Sequence, residues 1–518
     1  MNAPQSRRNF LAEVGKGTLL ATIGPALASE LGFAPSLAFA DDAPALLNFG
    51  DMEPLVCMMQ ETPVAKLQSA LVAKLKDGVP LKRLLAAGVL ANARTFGGED
   101  YIGFHTLMAM MPALKMSGSM PEKAQALPVF KVLYRNANRI QENGGRKAEV
   151  LHPVAAGAEK FTGEQLHDAV RQKDTVKAEK IFATLMQQNA DDGFNALLTC
   201  VEDSPEVHRT VLPYRAWDLI DVVGREHATT MLRQSLRYCL NAEQWRRPEW
   251  DEHSNALTKL LDEHKLLGRD PGTRAMEDGE VEKLSLAIFS GTPEQASGAV
   301  AAALAEGFDH AAIGEAISLA ANQLLLRDHG RVPDQESSGK PPGSVHGDSV
   351  GVHASDSVHA WRNLSHASKG RNVFACLILG AWQVARDRQS SGQKFLEWEP
   401  VPSKHQVGQV SVTDPASLLA ELETVIRQNL QGHAAAVVQC YGSLGHAPEA
   451  VFQLLLRFAV SEEGALHAEK YYQTVWDEFH RTRPAFRWRQ LTALARVTAS
   501  EFGRPAAGQA EARELFGV

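Results

Sequence analysis

Three histidines, a carboxylate and an amide crowd the stretch from Ser349 to His366. At about 100° per residue, a helix there puts Asp356, His359 and Asn363 on one sector, with His353 and His366 at its edges. A core-facing helix ordinarily carries Leu and Val on such a stripe. Imidazole is the usual acid/base near neutral pH and the commonest metal ligand. Asp356, one turn after His353, would hold an imidazole in one tautomer. It would equally complete a two-histidine, one-carboxylate ligand set for iron or another divalent metal. A weaker echo stands earlier, in Ile102-Gly103-Phe104-His105-Thr106-Leu107. The candidate catalytic set is therefore His105, His353, His359 and Asp356. His105, His353 and His359 are the metal-ligating alternative, which would make a metal- or haem-binding protein without turnover, and the third reading is a helical interaction scaffold in which the histidines are only a buried polar network stitching helices together. Arg362 would anchor an anionic or phenolate substrate. Trp361 would line its apolar part with Trp217 and Tyr214, core packing being the plainer account of these aromatics.

A second grouping pairs His227 with Arg225 and Glu226, and His467 with Glu463 and Tyr471. On a continuous helix Glu463 and His467 face the same way. Helix-bundle carboxylate metal sites use Glu-x-x-His and more carboxylates than stand here, so ordinary helix contacts are the expectation. Met108, Met110 and Met111 read as gap-filling core. The chain has no His-Glu-x-x-His, no phosphate-cradling glycine loop after a strand and no Gly-x-Ser-x-Gly.

The elements that must position these groups are nearly all helical. Helices are predicted over 63–76, 80–94, 121–141, 175–188, 210–223, 225–240, 293–305, 311–326, 372–386, 462–480 and 486–502, with apolar residues at three- and four-residue spacing. Gln406 to Val412 is the single strand candidate. The segment 329–348 is rich in Gly, Pro and Ser and feeds directly into the histidine helix, which suits a loop covering a site.

The halves look related. Lys74–Arg94 lies on Ala303–Gln323, matching Gly78 to Gly307 and Ala91 to Ala320. Gly103-Phe104-His105 then meets Gly351-Val352-His353, and Gly224 and His227 meet Gly464 and His467. An internal duplication would set His105 opposite His353, and His227 opposite His467. The expected fold class is all-α, with two related helical halves in one multi-helix body. Residues 41–245 form the first half, 246–280 a connecting segment and 281–518 the second.

The 518-residue chain is 44% hydrophobic and 22% charged, as a globular protein with real cores should be. A net charge of −8 without basic clusters argues against nucleic acid as a partner. Residues 1–40 read as an export signal. Ser6-Arg7-Arg8-Asn9-Phe10-Leu11 resembles a twin-arginine motif, and an apolar stretch then ends at Ala38-Phe39-Ala40. The expected partner is thus the twin-arginine export machinery, and the expected location is periplasmic or secreted. No later run reaches the ~18–20 apolar residues of a membrane span. The five cysteines lack any metal or haem spacing, and four of them sit in apolar helical surroundings as buried small hydrophobes.

Gly351-Val352-His353-Ala354-Ser355-Asp356-Ser357-Val358-His359-Ala360 resembles the questin oxidase-like family, whose helical motifs include His-Ala/Thr-x-Thr-x-x-x-Ala. Phe104-His105-Thr106-Leu107-Met108-Ala109 looks like an earlier motif of that family. Asp356 stands where the family has threonine. The later His-Gly-Asp-type motif has only Gly445-His446 and Gly464–His467 as near counterparts. The resemblance implies an oxidoreductase that opens aromatic or polyketide-like rings by oxygenation, with NADPH as reductant and with His105 and His353 in the site.

Overall fold

A computed structural model describes residues 46–247, 250–336, 342–345, 347 and 349–518. The export-signal reading of residues 1–40 lies outside the described residues. Residues Leu47–Val518 form one unit. It is all-α: among the described residues there are helices and isolated bridges, such as Arg274 with Phe308, but no β-strand. No described helix is long and apolar enough to cross a membrane.

The helices around the histidines are numbered in chain order. They are α1 (Leu81–Phe96), α2 (Tyr101–Ser117), α3 (Leu127–Glu142), α4 (Val207–Asp218), α5 (His310–Arg327), α6 (Val350–Ala367), α7 (Arg371–Ser390), α8 (Ala468–Arg481) and α9 (Trp488–Glu501). The histidine stretch is α6, and it is central: α4, α5, α7 and α8 all pack on it. Helix α2 packs on α1, α3, α4 and α8. The two helices that the sequence singled out therefore share α4 and α8 as neighbours.

Local chemistry sets where each begins. The Asp100 side chain accepts a hydrogen bond from the Gly103 N–H at 2.7 Å and caps α2. Ser349 caps α6 in the same way, through the Val352 N–H. Glycine then lets each helix lie close to the one before it. A methyl group on Gly103 would stand 2.6 Å from the Phe96 ring, and one on Gly351 would stand 2.5 Å from the Leu325 backbone.

Helices α6 and α8 run parallel and are joined by a polar seam. Thr474 donates to Asp356 at 2.8 Å, His359 bonds Asp477 at 3.2 Å, Arg362 pairs with Glu478, and Arg481 donates to Asn363 at 3.0 Å. Partners advance together along both helices, which fixes the parallel orientation.

Three expectations need correction. Gln406–Val412 is no strand: Lys404–Gly408 is a short helix capped by Ser403. The helix expected from Thr210 begins at Val207, because Glu206 accepts bonds from the His208 and Arg209 N–H groups, and it breaks after Asp218. The helix expected from Glu462 begins only at Ala468. Ala465 and Leu466 take left-handed conformations, with φ of 50° and 67°. Glu463 and His467 therefore do not share a helix face. The five cysteines are all free, and Cys200, Cys239 and Cys376 are buried.

Candidate functional site

Four histidines from four separate segments meet at one place. His105 comes from the first turns of α2, His208 from the start of α4, His353 from the start of α6, and His467 from the residue preceding α8. Their ring centroids form a closed circuit. His105 to His208 is 4.8 Å, His208 to His353 is 5.9 Å, His353 to His467 is 5.0 Å, and His467 to His105 is 5.3 Å.

The orientation of each ring follows from its second nitrogen. His105 Nδ1 lies 2.8 Å from the Tyr101 carbonyl oxygen, and His467 Nδ1 lies 2.7 Å from that of Ala465. A carbonyl only accepts, so in a neutral ring the proton sits on Nδ1 and Nε2 carries a lone pair. His208 Nδ1 faces the Glu206 carboxylate at 3.4 Å. The Nε2 atoms of His105 and His208 are buried and have no hydrogen-bond partner among the described residues. Nε2 of His353 lies 3.1 Å from Nε2 of His467. The strained turn at Ala465 and Leu466 supplies the carbonyl that aims the His467 ring.

Burial, with the nearby charge of Lys470 and the other imidazoles, holds the pKa values of His105 and His467 far below the ordinary histidine value. Both rings are neutral lone-pair donors at neutral pH. Tyr101 and Phe104 close the cluster on one side, their ring centroids 4.3 and 5.0 Å from that of His105. Tyr101 is about half exposed, so it separates the cluster from solvent. Beyond His467 is a cavity of about 30 Å³, lined among others by Gly347, Phe458, Tyr471 and Glu501. That volume admits a water molecule.

Beside the quartet lies a buried charged layer. Lys470, one turn into α8, is only 2% exposed, and burial brings its ammonium down to a pKa of about 7 against the pull of Asp356. Burial raises the Asp356 carboxyl, while Lys470 and the Thr474 hydroxyl oppose that shift. Glu469 faces the other way, to Lys131 at 2.7 Å and Arg135 at 3.5 Å.

The structure thus brings together His105 and His353 of the expected set and adds His208 and His467. His359 belongs elsewhere. It is held by Asp477 and packs edge-on against Tyr214 at 5.4 Å, so it does not complete a ligand set with His105 and His353. Asp356 is close to Lys470 and bonded to Thr474; it orients no histidine of the quartet through a described hydrogen bond. Arg362 is not a substrate anchor, because its guanidinium is buried against Glu478. Trp361 is core: its indole N–H donates to Gln383 at 2.8 Å. Trp217 stacks on Phe194. His227 packs against Phe49, so it does not stand opposite His467.

His208 escaped sequence reading because the helix start was placed three residues late. The signal was Ser204-Pro205-Glu206, a turn followed by a capping acid. Lys470 carried no signal, since a lone lysine on an amphipathic helix reads as solvated. Among the described residues, no group of three or more His, Cys, Asp or Glu side chains is placed to hold a metal ion.

Comparison with known proteins gives no match to a family model, to a curated protein or to a solved structure.

Proposed function

We propose that this chain is an oxidoreductase whose reaction centre is the quartet His105, His208, His353 and His467, and that the quartet takes a divalent transition metal. One observation carries the reading: two buried imidazoles, His105 and His467, and two half-buried ones, His208 and His353, close a circuit in which the Nε2 atoms of His105 and His208 have no described partner. Leaving a buried acceptor unsatisfied costs about 1–3 kcal/mol, so a cluster of them calls for a ligand. Nδ1 groups anchored on carbonyls are how metal-binding histidines are usually oriented. The Nε2 separation of His353 and His467 suits two ligands of one ion at the ~2.0–2.1 Å expected of imidazole nitrogen. Nitrogen-only donors suit iron, copper, nickel or zinc. Such a metal would supply Lewis acidity or redox chemistry, while Tyr101 and Phe104 keep water away.

The substrate class, an aromatic or polyketide-like ring, rests on the resemblance of the His353 and His105 motifs to the questin oxidase-like family. Export through the twin-arginine route to the periplasm is part of the same proposal, and it suits a protein loaded with its metal before translocation. The test is elemental analysis and an absorption spectrum of protein purified without chelator. Stoichiometric metal that vanishes in His353→Ala and His467→Ala supports the reading. Metal-free protein that turns over an aromatic substrate moves it to a cofactor-free acid/base site. Lys470 favours that second reading, because a pKa of about 7 suits proton transfer at neutral pH.

The duplication of the halves belongs here too. Gly78 and Gly307, matched in sequence, share a left-handed φ of 86° and 80°. His105 and His353 each follow a side-chain cap and a close-packed glycine. His227 and His467 each stand immediately before a helix, His227 as the last residue of a 3₁₀ turn and His467 directly after one.

A further inference from the structure

Arg215 on α4 is 1% exposed and makes no hydrogen bond or ion pair among the described residues. Its Nε and Nη1 are buried without a partner, and the only described contact of the guanidinium is the neighbouring Tyr214 ring, 4.9 Å away. Such a side chain stays charged in proteins. A buried charge without a partner costs several kcal/mol, so natural sequences rarely keep one unless something occupies it. Other buried arginines are held by partners: Arg209 meets Glu243, Arg362 meets Glu478, Arg94 meets Glu53 and Glu149, and Arg496 donates to the carbonyls of Leu325, Leu326 and Asp328.

Arg215 is not isolated. It lies within electrostatic reach of Asp356, His359, Lys470 and Asp477. Lys470 is a second buried cation that makes no described hydrogen bond or ion pair. Asp477 is engaged by His359 and Gln473, and Asp356 by Thr474. Asp356 is the carboxylate that both cations reach, while Asp477 also faces Arg215 and Glu469 also faces Lys470; none of the three makes a described ion pair with Arg215 or Lys470.

We propose that Arg215 and Lys470 form a binding site for an oxyanion of carboxylate type, set between α4, α6 and α8 beside the histidine quartet. The guanidinium supplies the charge and two unused N–H donors, and the Lys470 amine supplies further N–H donors. The Thr474 hydroxyl and the Tyr214 ring border the place. The site stands on Arg215 and does not require that the histidines hold a metal. Its occupant is either a small free carboxylate or the anionic end of a larger substrate.

The experiment is calorimetric titration of chelator-treated protein with sodium formate and with sodium benzoate, against sodium chloride at equal ionic strength. Saturable binding of formate is expected, with benzoate binding as well if the site takes a substrate's anionic end. Arg215→Met should fold, because it removes an unpaired buried charge, and should weaken binding by about 10–100-fold, the worth of a charge-assisted bond. Arg215→Lys should keep part of it, and His353→Ala should bind formate as the parent does. That last result separates the site from the metal reading. Absence of saturable binding, equal binding by Arg215→Met, or failure of Arg215→Met to fold overturns the proposal. The last outcome would mean that the guanidinium serves the fold alone.

Discussion

Nε2 of His353 and Nε2 of His467 lie 3.1 Å apart across a sequence separation of 114 residues. The Ala465 carbonyl takes the Nδ1 proton of His467, so the nitrogen facing His353 carries a lone pair. A third body between them or a proton on His353 Nε2 is what lets two such atoms stand together. This pair is the point where the two parallel helices α6 and α8 open toward the site.

The first expectation concerns metal. His353→Ala and His467→Ala should each reduce bound metal from stoichiometric to trace while the circular dichroism stays that of the parent. Each removes one ligand from one end of a helix whose remaining seam is intact. His359→Ala should keep the metal, since its bond is to Asp477. Elemental analysis of the three variants decides; metal lost in His359→Ala and kept in the other two would refute the quartet.

The second concerns the approach of α6 to α5. Gly351→Ala places a methyl group 2.5 Å from the Leu325 backbone, where no flexible atom can yield. The helices must separate, at a cost of about 1–3 kcal/mol. His353 lies two residues on and should shift with them. Urea unfolding should report the lost stability and elemental analysis the lost metal, whereas Gly298→Ala, with open space around it, should change neither.

The third concerns the buried pair Arg362 and Glu478. Glu478→Gln leaves an uncompensated guanidinium and should cost about 3–5 kcal/mol in equilibrium unfolding. Arg362→Met with Glu478→Leu should recover most of that loss, because the apolar replacement has no desolvation to repay. If Arg362 were instead a substrate anchor, the single change would spare stability and weaken substrate binding.

The fourth is a pH dependence. Burial, against the opposing pull of Asp356, lowers Lys470 from 10.5 to about 7. The unfolded chain binds this proton more tightly than the folded one. The resulting destabilisation is complete below pH ~7 and is relieved as pH rises from about 7 toward about 10.5. Lys470→Met should therefore raise the melting temperature most below pH 7, and the gain should shrink as pH approaches 10. A variant no more stable than the parent at pH 6 would contradict the unpaired, buried state of this ammonium.

Much of the fold was legible locally. Apolar residues at helical spacing, prolines and acids at first turns, and glycines at ends placed most helices, and the two histidine motifs sat in the helices expected of them. The failures were at helix starts, where one capping side chain or two left-handed residues outweigh periodicity. Glu206 lengthened one helix and so brought His208 in. Ala465 and Leu466 shortened another and so turned His467 inward.

The sequence by itself determined the all-α class and the helices that carry His105 and His353, because periodicity and capping act over a few residues. Only the tertiary structure decided which histidines meet. His208, His353 and His467 are far apart in the chain, and their convergence depends on α4 and α8 both packing on α6. It also decided the fate of the charges. Arg362 found Glu478, while Arg215 and Lys470 were left without a described ion pair. A charge takes its role from what is packed against it, and no local pattern records that.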